Sequence, residues 1–126
     1  MYEWLDEYLL KMKHARKDYK AEWDWHRYLI DDKMFAAVCT PDQKHREYGG
    51  HTLVSLKCEP EAGEILRMSY KDIHPGFYMD KRNWISVFLD GSVPEEVLRT
   101  MCDNSYSLVF SKLTKKRQRE ILEGED

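Results

Sequence analysis

Trp23-Asp24-Trp25-His26-Arg27-Tyr28-Leu29-Ile30-Asp31-Asp32-Lys33-Met34-Phe35-Ala36-Ala37-Val38-Cys39-Thr40 reads as two strands joined by a tight turn. Trp23, Trp25 and Leu29 alternate with Asp24, His26 and Tyr28, the period of two that a strand with one buried face requires. Asp31-Asp32-Lys33 marks the turn, and residues 34–40 supply the antiparallel return. Aromatic residues in such a hairpin, here Trp23, Trp25, Tyr28 and Phe35, are expected to serve the core before they serve as a stacking surface for bases.

Toward the N-terminus, Leu5, Tyr8, Leu9 and Met12 recur at helical spacing. Glu3, Asp6 and Glu7 come early and Lys11 and Lys13 late, the order a helix dipole favours, so residues 2–12 are expected to be a helix. A basic stretch with Arg16, Lys17 and Lys20 leads into the hairpin. Beyond it, residues 41–50 are polar and end in Gly49-Gly50, the mark of an exposed connection, and the alternating run 51–57 is a third strand. Pro60 suits the first turn of a helix in which Ala62, Ile65, Leu66 and Ser69 trace one face.

His74-Pro75-Gly76 breaks the chain, after which residues 77–79, a turn at 80–83 and a strand at 84–89 are expected to form a second hairpin. Ser92-Val93-Pro94-Glu95 fits a capping box that opens a helix buried through Val97, Leu98, Met101, Leu108 and Val109, with Asp103-Asn104-Ser105 as a point of interruption. Thr114 is placed to cap a short terminal helix with Ile121 and Leu122 inward. The expected order is α-β-β-β-α-β-β-α with a further terminal α. This is a two-layer α+β fold: a five-stranded, mainly antiparallel sheet with helices on one face, burying Leu56, Val87, Leu98, Met101 and Val109.

With 126 residues the chain supports one hydrophobic core, so a single domain over 1–126 is expected. An apolar share of 42% against a charged share of 34% argues against disorder. The longest apolar runs, 34–39 and 84–89, fall far short of the roughly 20 residues of a membrane-crossing helix. The acidic N-terminus lacks the charge pattern of a secretory signal. Three scattered cysteines, Cys39, Cys58 and Cys102, suit free buried thiols, so a cytoplasmic location is expected. A net charge of −3 excludes bulk electrostatic coating of nucleic acid and leaves only a local patch for that purpose.

Leu56-Lys57-Cys58-Glu59-Pro60, His74-Pro75-Gly76-Phe77-Tyr78-Met79-Asp80-Lys81-Arg82-Asn83-Trp84 and Leu89-Asp90-Gly91-Ser92-Val93-Pro94 together resemble the bacterial MmcQ/YjbR family. Asp103-Asn104-Ser105-Tyr106-Ser107-Leu108-Val109, followed by Lys112-Leu113 and Lys115-Lys116, is similar too. The likeness is strong over 56–119 and looser before it, where Trp4-Leu5, Asp18-Tyr19 and Lys33-Met34-Phe35-Ala36 fit. It implies a CyaY-like two-layer fold, a layout that also resembles secretion chaperones and frataxin-like proteins. It further implies DNA binding, a family label that rests on likeness to double-winged DNA binders.

The residues themselves carry no G-x-S-x-G elbow, Walker loop, G-x-G-x-x-G or H-E-x-x-H, so no catalysis is expected. Cys58 with His51 is the one nucleophile-base pairing weighed, against a buried thiol as the simpler reading. Five scattered histidines lack zinc-site spacing, and no metal or other cofactor is expected. Asp31-Asp32 and Glu95-Glu96 belong to a turn and to a helix start. The basic run Lys112, Lys115, Lys116, Arg117 and Arg119 contains no acid, although four acids follow it over 120–126. The candidate phosphate contacts are therefore Lys112, Lys115, Lys116 and Arg117, with Lys81 and Arg82 at the tip of the second hairpin and Lys57 beside them. The expected partner is DNA, bound weakly and in a salt-sensitive way. The alternative is a polypeptide held on the open sheet face or an edge strand of a monomer or homodimer, with no membrane involved.

Overall fold

In the computed structural model, which describes residues 2–124, α1 (Trp4–Leu10) leads into β1 (Ala15–Lys20), β2 (Trp25–Ile30) and β3 (Lys33–Cys39). A single 3-10 turn, Arg46–Tyr48, precedes β4 (Leu53–Lys57) and α2 (Pro60–Ser69). Then come β5 (Ile73–Pro75), β6 (Trp84–Phe88), α3 (Glu95–Phe110) and α4 (Lys115–Leu122). Every neighbouring pair of strands is antiparallel, in the order β1-β2-β3-β4-β6-β5.

The α+β class and the helix-covered face agree with the sequence reading, but the sheet has six strands and not five. The extra strand is β1. Its residues, Ala-Arg-Lys-Asp-Tyr-Lys, show no apolar alternation because it is an edge strand held by backbone pairing and by one cross-strand ion pair. Arg27 Nε and Nη2 donate to the two Asp18 oxygens at 2.9 and 2.6 Å across the ladder. The second hairpin is also relocated. Ile73, buried opposite Val87, makes the outer strand. Residues 77–79 lie in the connection, where they carry Phe77 onto the far side of the sheet.

The helix starts and stops follow local chemistry. Thr114 caps α4 as expected, its Oγ1 accepting from the Arg117 amide at 3.1 Å. Ser92 does not cap α3: Pro94 occupies the N-cap position in extended backbone, and the Ser92 amide and hydroxyl instead donate to Asp72 at 2.9 and 3.2 Å. α3 runs unbroken through Asp103-Asn104-Ser105, because Asp103 and Asn104 face outward while Ser105 is buried against the sheet. In α4, Ile121 is buried and Leu122 is exposed, so only one of the two faces the core.

Leu56, Val87, Leu98, Met101 and Val109 all sit in the main core between helices and sheet. A bulge helps to fill it. Leu29 pairs with Met34 and Tyr28 with Ala36, leaving Phe35 as the extra residue, and both Phe35 and Ala36 belong to the helix-side core. Beside the bulge the β3–β4 ladder opens by one rung. Ala36 pairs with Leu56, but where Phe35 and Lys57 come next, the Ser105 hydroxyl of α3 stands between them. It accepts from the Lys57 amide at 2.9 Å and donates to the Phe35 carbonyl at 2.6 Å.

The face opposite the helices is not open. Trp25, Ala37, Cys39, Leu53, Phe77 and Phe88 form a second buried cluster, and Tyr48 and Met79 pack on it from the two long connections. The connection 41–52 is tied down: a side chain at Gly49 would meet the Asp42 carbonyl at 2.7 Å, and Gly50 has φ +82°, so the pair lets the loop fold back on itself. Ser55 and Ser86, directly opposite each other in β4 and β6, share a 2.7 Å hydrogen bond inside this layer. Ser86 also accepts from the Phe77 amide at 2.9 Å.

Candidate functional site

The proposed phosphate contacts divide once placed on the fold. The register puts the β2–β3 turn, the end of β4 at Lys57 and the start of β6 at one end of the sheet. α4 reaches the same end, because Arg117 binds Asp31 in that turn. Lys112, Lys115 and Lys116 are exposed there, and among the described residues no ion pair engages them. Lys57 lies with its ammonium 6.0 Å from the centre of the Trp84 ring. Arg82 is exposed next to Asp80, whose side chain accepts from the Arg82 amide at 3.0 Å.

Two members of the set are otherwise occupied. Arg117 donates to both Asp31 oxygens at 2.9 Å and to Glu120 at 3.1 Å, and its Nη2 lies 2.7 Å from His14 Nε2. Its guanidinium is a brace between α4 and the β2–β3 turn. The hydrogen bonds from Arg117 hold the Asp31 carboxyl below the usual carboxylate range, with the nearby charges of Arg117 and His14 adding to the effect. Lys81 donates to the Gly76 carbonyl at 2.7 Å, lies over Tyr48 and faces the second sheet layer. Glu125 and Asp126, two of the acids that follow the basic run, lie outside the described residues.

A groove, unmarked by any sequence motif, runs between α2 and α3. Two depressions of about 340 and 500 Å³ meet along Ala62, Leu66, Met101 and Asn104. Leu66, Ile85, Met101 and Leu108 line the first, and Ile65, Tyr70 and Val97 extend the second. α2 sits low on the sheet because Gly63 rests on Cys58, and a Cβ there would lie 2.8 Å from Sγ. Ile65 is 64% and Met68 83% exposed on the outer side of α2. The sequence holds a signal for this: Leu66 and Met68, two residues apart, point to opposite sides of α2, so one face cannot bury both. The rim is acidic on balance, with Glu59 and Glu96 lining the groove against Lys57, and Glu61 and Glu64 exposed elsewhere on α2.

The suggested nucleophile pair is not assembled. His51 and Cys58 flank opposite ends of β4, and His51 binds Asp90 at 3.0 Å while stacking on Phe88. Cys39, Cys58 and Cys102 are buried and free, and burial pushes all three thiols up, Cys39 and Cys102 to about 12. Among the described residues, no group of three or more His, Cys, Asp or Glu side chains is placed to hold a metal ion. No helix among them is long and apolar enough to cross a membrane.

The sequence model of the YjbR family matches residues 10–108. The chain belongs to the YjbR family. The uncharacterized protein YjbR of Escherichia coli strain K12 is 26% identical over 117 residues, covering 93% of each chain. Among solved structures, the Deinococcus radiodurans protein DR2400 superimposes with a TM-score of 0.77 at 28% identity, covering 93% of this chain and 84% of that one. A Pseudomonas syringae protein gives a TM-score of 0.70 at 25% identity, covering 82% and 93%. These YjbR-family similarities span the sheet and most of the helical layer, the α2–α3 groove included.

Proposed function

We propose that this YjbR-family protein is a non-enzymatic binding protein whose partner is a polypeptide seated in the α2–α3 groove. The observation that carries the reading is the groove itself: an apolar floor edged by Ile65, a large side chain left in solvent, with Met68 exposed beyond it on the outer side of α2. Its acidic rim selects the partner chemistry, an amphipathic helix with an apolar stripe and lysine or arginine on its flanks. Protonated, buried thiols and the separation of His51 from Cys58 support a role without catalysis. The groove replaces the sheet face and the edge strands as the docking surface. The sheet face is already covered, and the β5 edge is three residues long and ends in Pro75.

A fluorescently labelled Leu/Lys amphipathic peptide is the direct probe, followed by anisotropy against its scrambled form and a Leu/Glu counterpart. The Leu/Lys helix is expected to bind best. Changing Ile65 and Met68 together to serine is expected to weaken it by roughly tenfold while leaving the fold intact, since both side chains are exposed. Equal binding of the acidic peptide, or no loss in the double variant, would remove the groove as the site.

DNA is the second reading, supported by the four cations at one end of the sheet, Lys57, Lys112, Lys115 and Lys116, that form no ion pair among the described residues. Binding through them is expected to be weak and salt-sensitive. Neutralising Lys112, Lys115 and Lys116 should lower the slope of log affinity against log salt by about 0.9 for each duplex phosphate that no longer meets a cation. Arg117 is left out of this test because removing it would loosen α4. A slope that ignores the three substitutions would exclude the patch.

A further inference from the structure

On the face opposite the groove, a depression of about 260 Å³ opens between the β1–β2 turn, the start of the 41–52 connection and the β5–β6 connection. Its walls are aromatic. Trp23 and Trp25 meet edge to face with centroids 5.1 Å apart, and Phe77 and Tyr78 stack at 4.6 Å and 10°. His45 stands perpendicular to both members of that stack, its centroid 5.1 and 5.3 Å from theirs. Trp25 and Phe77 are buried and form the floor, whereas Trp23 and Tyr78 are 54% and 72% exposed and stand as the open walls. Tyr78 has φ 55°, a left-handed conformation that costs a bulky residue energy and is held here by the surrounding contacts.

The lining of the depression has an acidic excess, while Arg46 and Lys81 lie with Lys44 in a neighbouring hollow beside Phe77 and Tyr78. Glu22, Asp24 and Asp42 line the depression against Lys44 as the only ammonium in its lining, so three carboxylates and one cation leave a formal charge of −2 with His45 neutral. The carboxylate of Asp24 is held in place by the Tyr19 hydroxyl at 2.6 Å. Its field reaches the floor of the site, where, after burial, it is the second cause that raises the Cys39 thiol. The molecule already shows what these rings attract: the Lys20 ammonium lies 5.2 Å from the centre of the Trp23 ring. A phosphate-bearing ligand would meet three carboxylates, so stacking of a nucleotide is disfavoured.

We infer that this aromatic depression is a binding site for an alkylated ammonium group, held by the faces of Trp23 and Tyr78 and by the carboxylates of Asp24 and its neighbours. Its volume suits a headgroup and falls below the usual range of drug-sized pockets, which starts at about 300 Å³. The group has two possible sources, a free quaternary amine or the methylated lysine of a polypeptide. The site lies across the sheet from the α2–α3 groove, so either can fail without the other.

Titration calorimetry with choline, its uncharged isostere 3,3-dimethyl-1-butanol, and a trimethyllysine peptide beside its unmethylated form tests the inference on the intact protein. Choline is expected to bind saturably, with the isostere weaker by at least ~10-fold. Trp23→Ala, at an exposed turn position, is expected to weaken binding by about tenfold. Asp24→Asn, which tolerates the same positive φ of 59°, is expected to weaken it by a few-fold. A trimethyllysine peptide that binds more tightly than choline assigns the source to a polypeptide, and the reverse order assigns it to a free amine. Equal binding of the isostere, an unchanged affinity in Trp23→Ala, or no heat with any cation up to ~10 mM overturns the site.

Discussion

Ser105→Ala is expected to destabilise the fold by about 2–4 kcal/mol, because it strands two buried backbone groups at once. The Ser105 hydroxyl is the link between the Lys57 amide and the Phe35 carbonyl, and it is fully buried in that position. Alanine has better helix propensity and gains a few tenths of a kcal/mol in α3, which is small against the loss of both hydrogen bonds. The comparison is Ser107→Ala, on the exposed side of the same helix, where a change within about 0.5 kcal/mol is expected. Urea unfolding of the two variants measures the difference. Equal midpoints would mean that β3 and β4 close the rung without help, and that the inserted hydroxyl is not needed.

Removing the brace at Arg117 comes next in size, with Arg117→Ala expected to lower the unfolding midpoint as the hydrogen bonds to Asp31 and Glu120 disappear. The pair is only about one-third exposed, at 32% for Arg117 and 28% for Asp31, so solvent screens it less than an ordinary surface bridge. The acid dependence has a definite sign. Asp31 is held below its unfolded value, so its contribution is complete above about pH 4 and is lost as pH falls through the lower folded value. The stability gap between the native protein and Asp31→Asn should therefore be widest near pH 7 and narrow as pH is lowered toward about 2. A gap that stays constant over that range would show that the carboxylate charge contributes nothing. Lys116→Ala, one residue away and unpaired among the described residues, serves as the neutral comparison.

What was legible in the sequence was whatever burial writes as periodicity. β3, β4 and β6 carry apolar residues because neighbours cover them, and α2 and α3 begin and end close to where Pro60, Pro94 and the apolar spacing place them. β1 escaped because β2 holds it through backbone pairing and the polar Arg27–Asp18 pair, so Arg16, Lys17, Asp18 and Lys20 leave no apolar alternation to find. β5 escaped for a different reason. It has three residues, and the stronger aromatic signal at 77–79 belongs to a turn that plugs the second sheet layer. The alternation puts Tyr28 on the polar side of its strand, yet it is buried, its hydroxyl donating to Asp6 at 2.6 Å.

The candidate sites were less legible than the fold, since charge counted along the chain does not show which partner claims it. Along the chain Arg117 is one of five cations in a run without acids, and the fold sets Asp31, 86 residues earlier, against it. The aromatic depression joins Trp23 to Tyr78 and His45 from three separate connections. In sequence, Trp23 looked like the first residue of a strand. Only its 54% exposure sets it apart from Trp25 two residues on.

The two rims of the sheet govern how copies of the protein meet when crowded. On one side β1 shows Arg16, Lys17, Asp18 and Lys20, the charged side chains that discourage pairing at an edge. On the other, β5 offers three residues closed by Pro75, whose carbonyl already accepts from the Tyr48 hydroxyl at 2.7 Å. Neither rim is a bare template for strand-by-strand growth into fibrils. Self-assembly of this chain is therefore expected to use side-chain surfaces and not a continuing sheet.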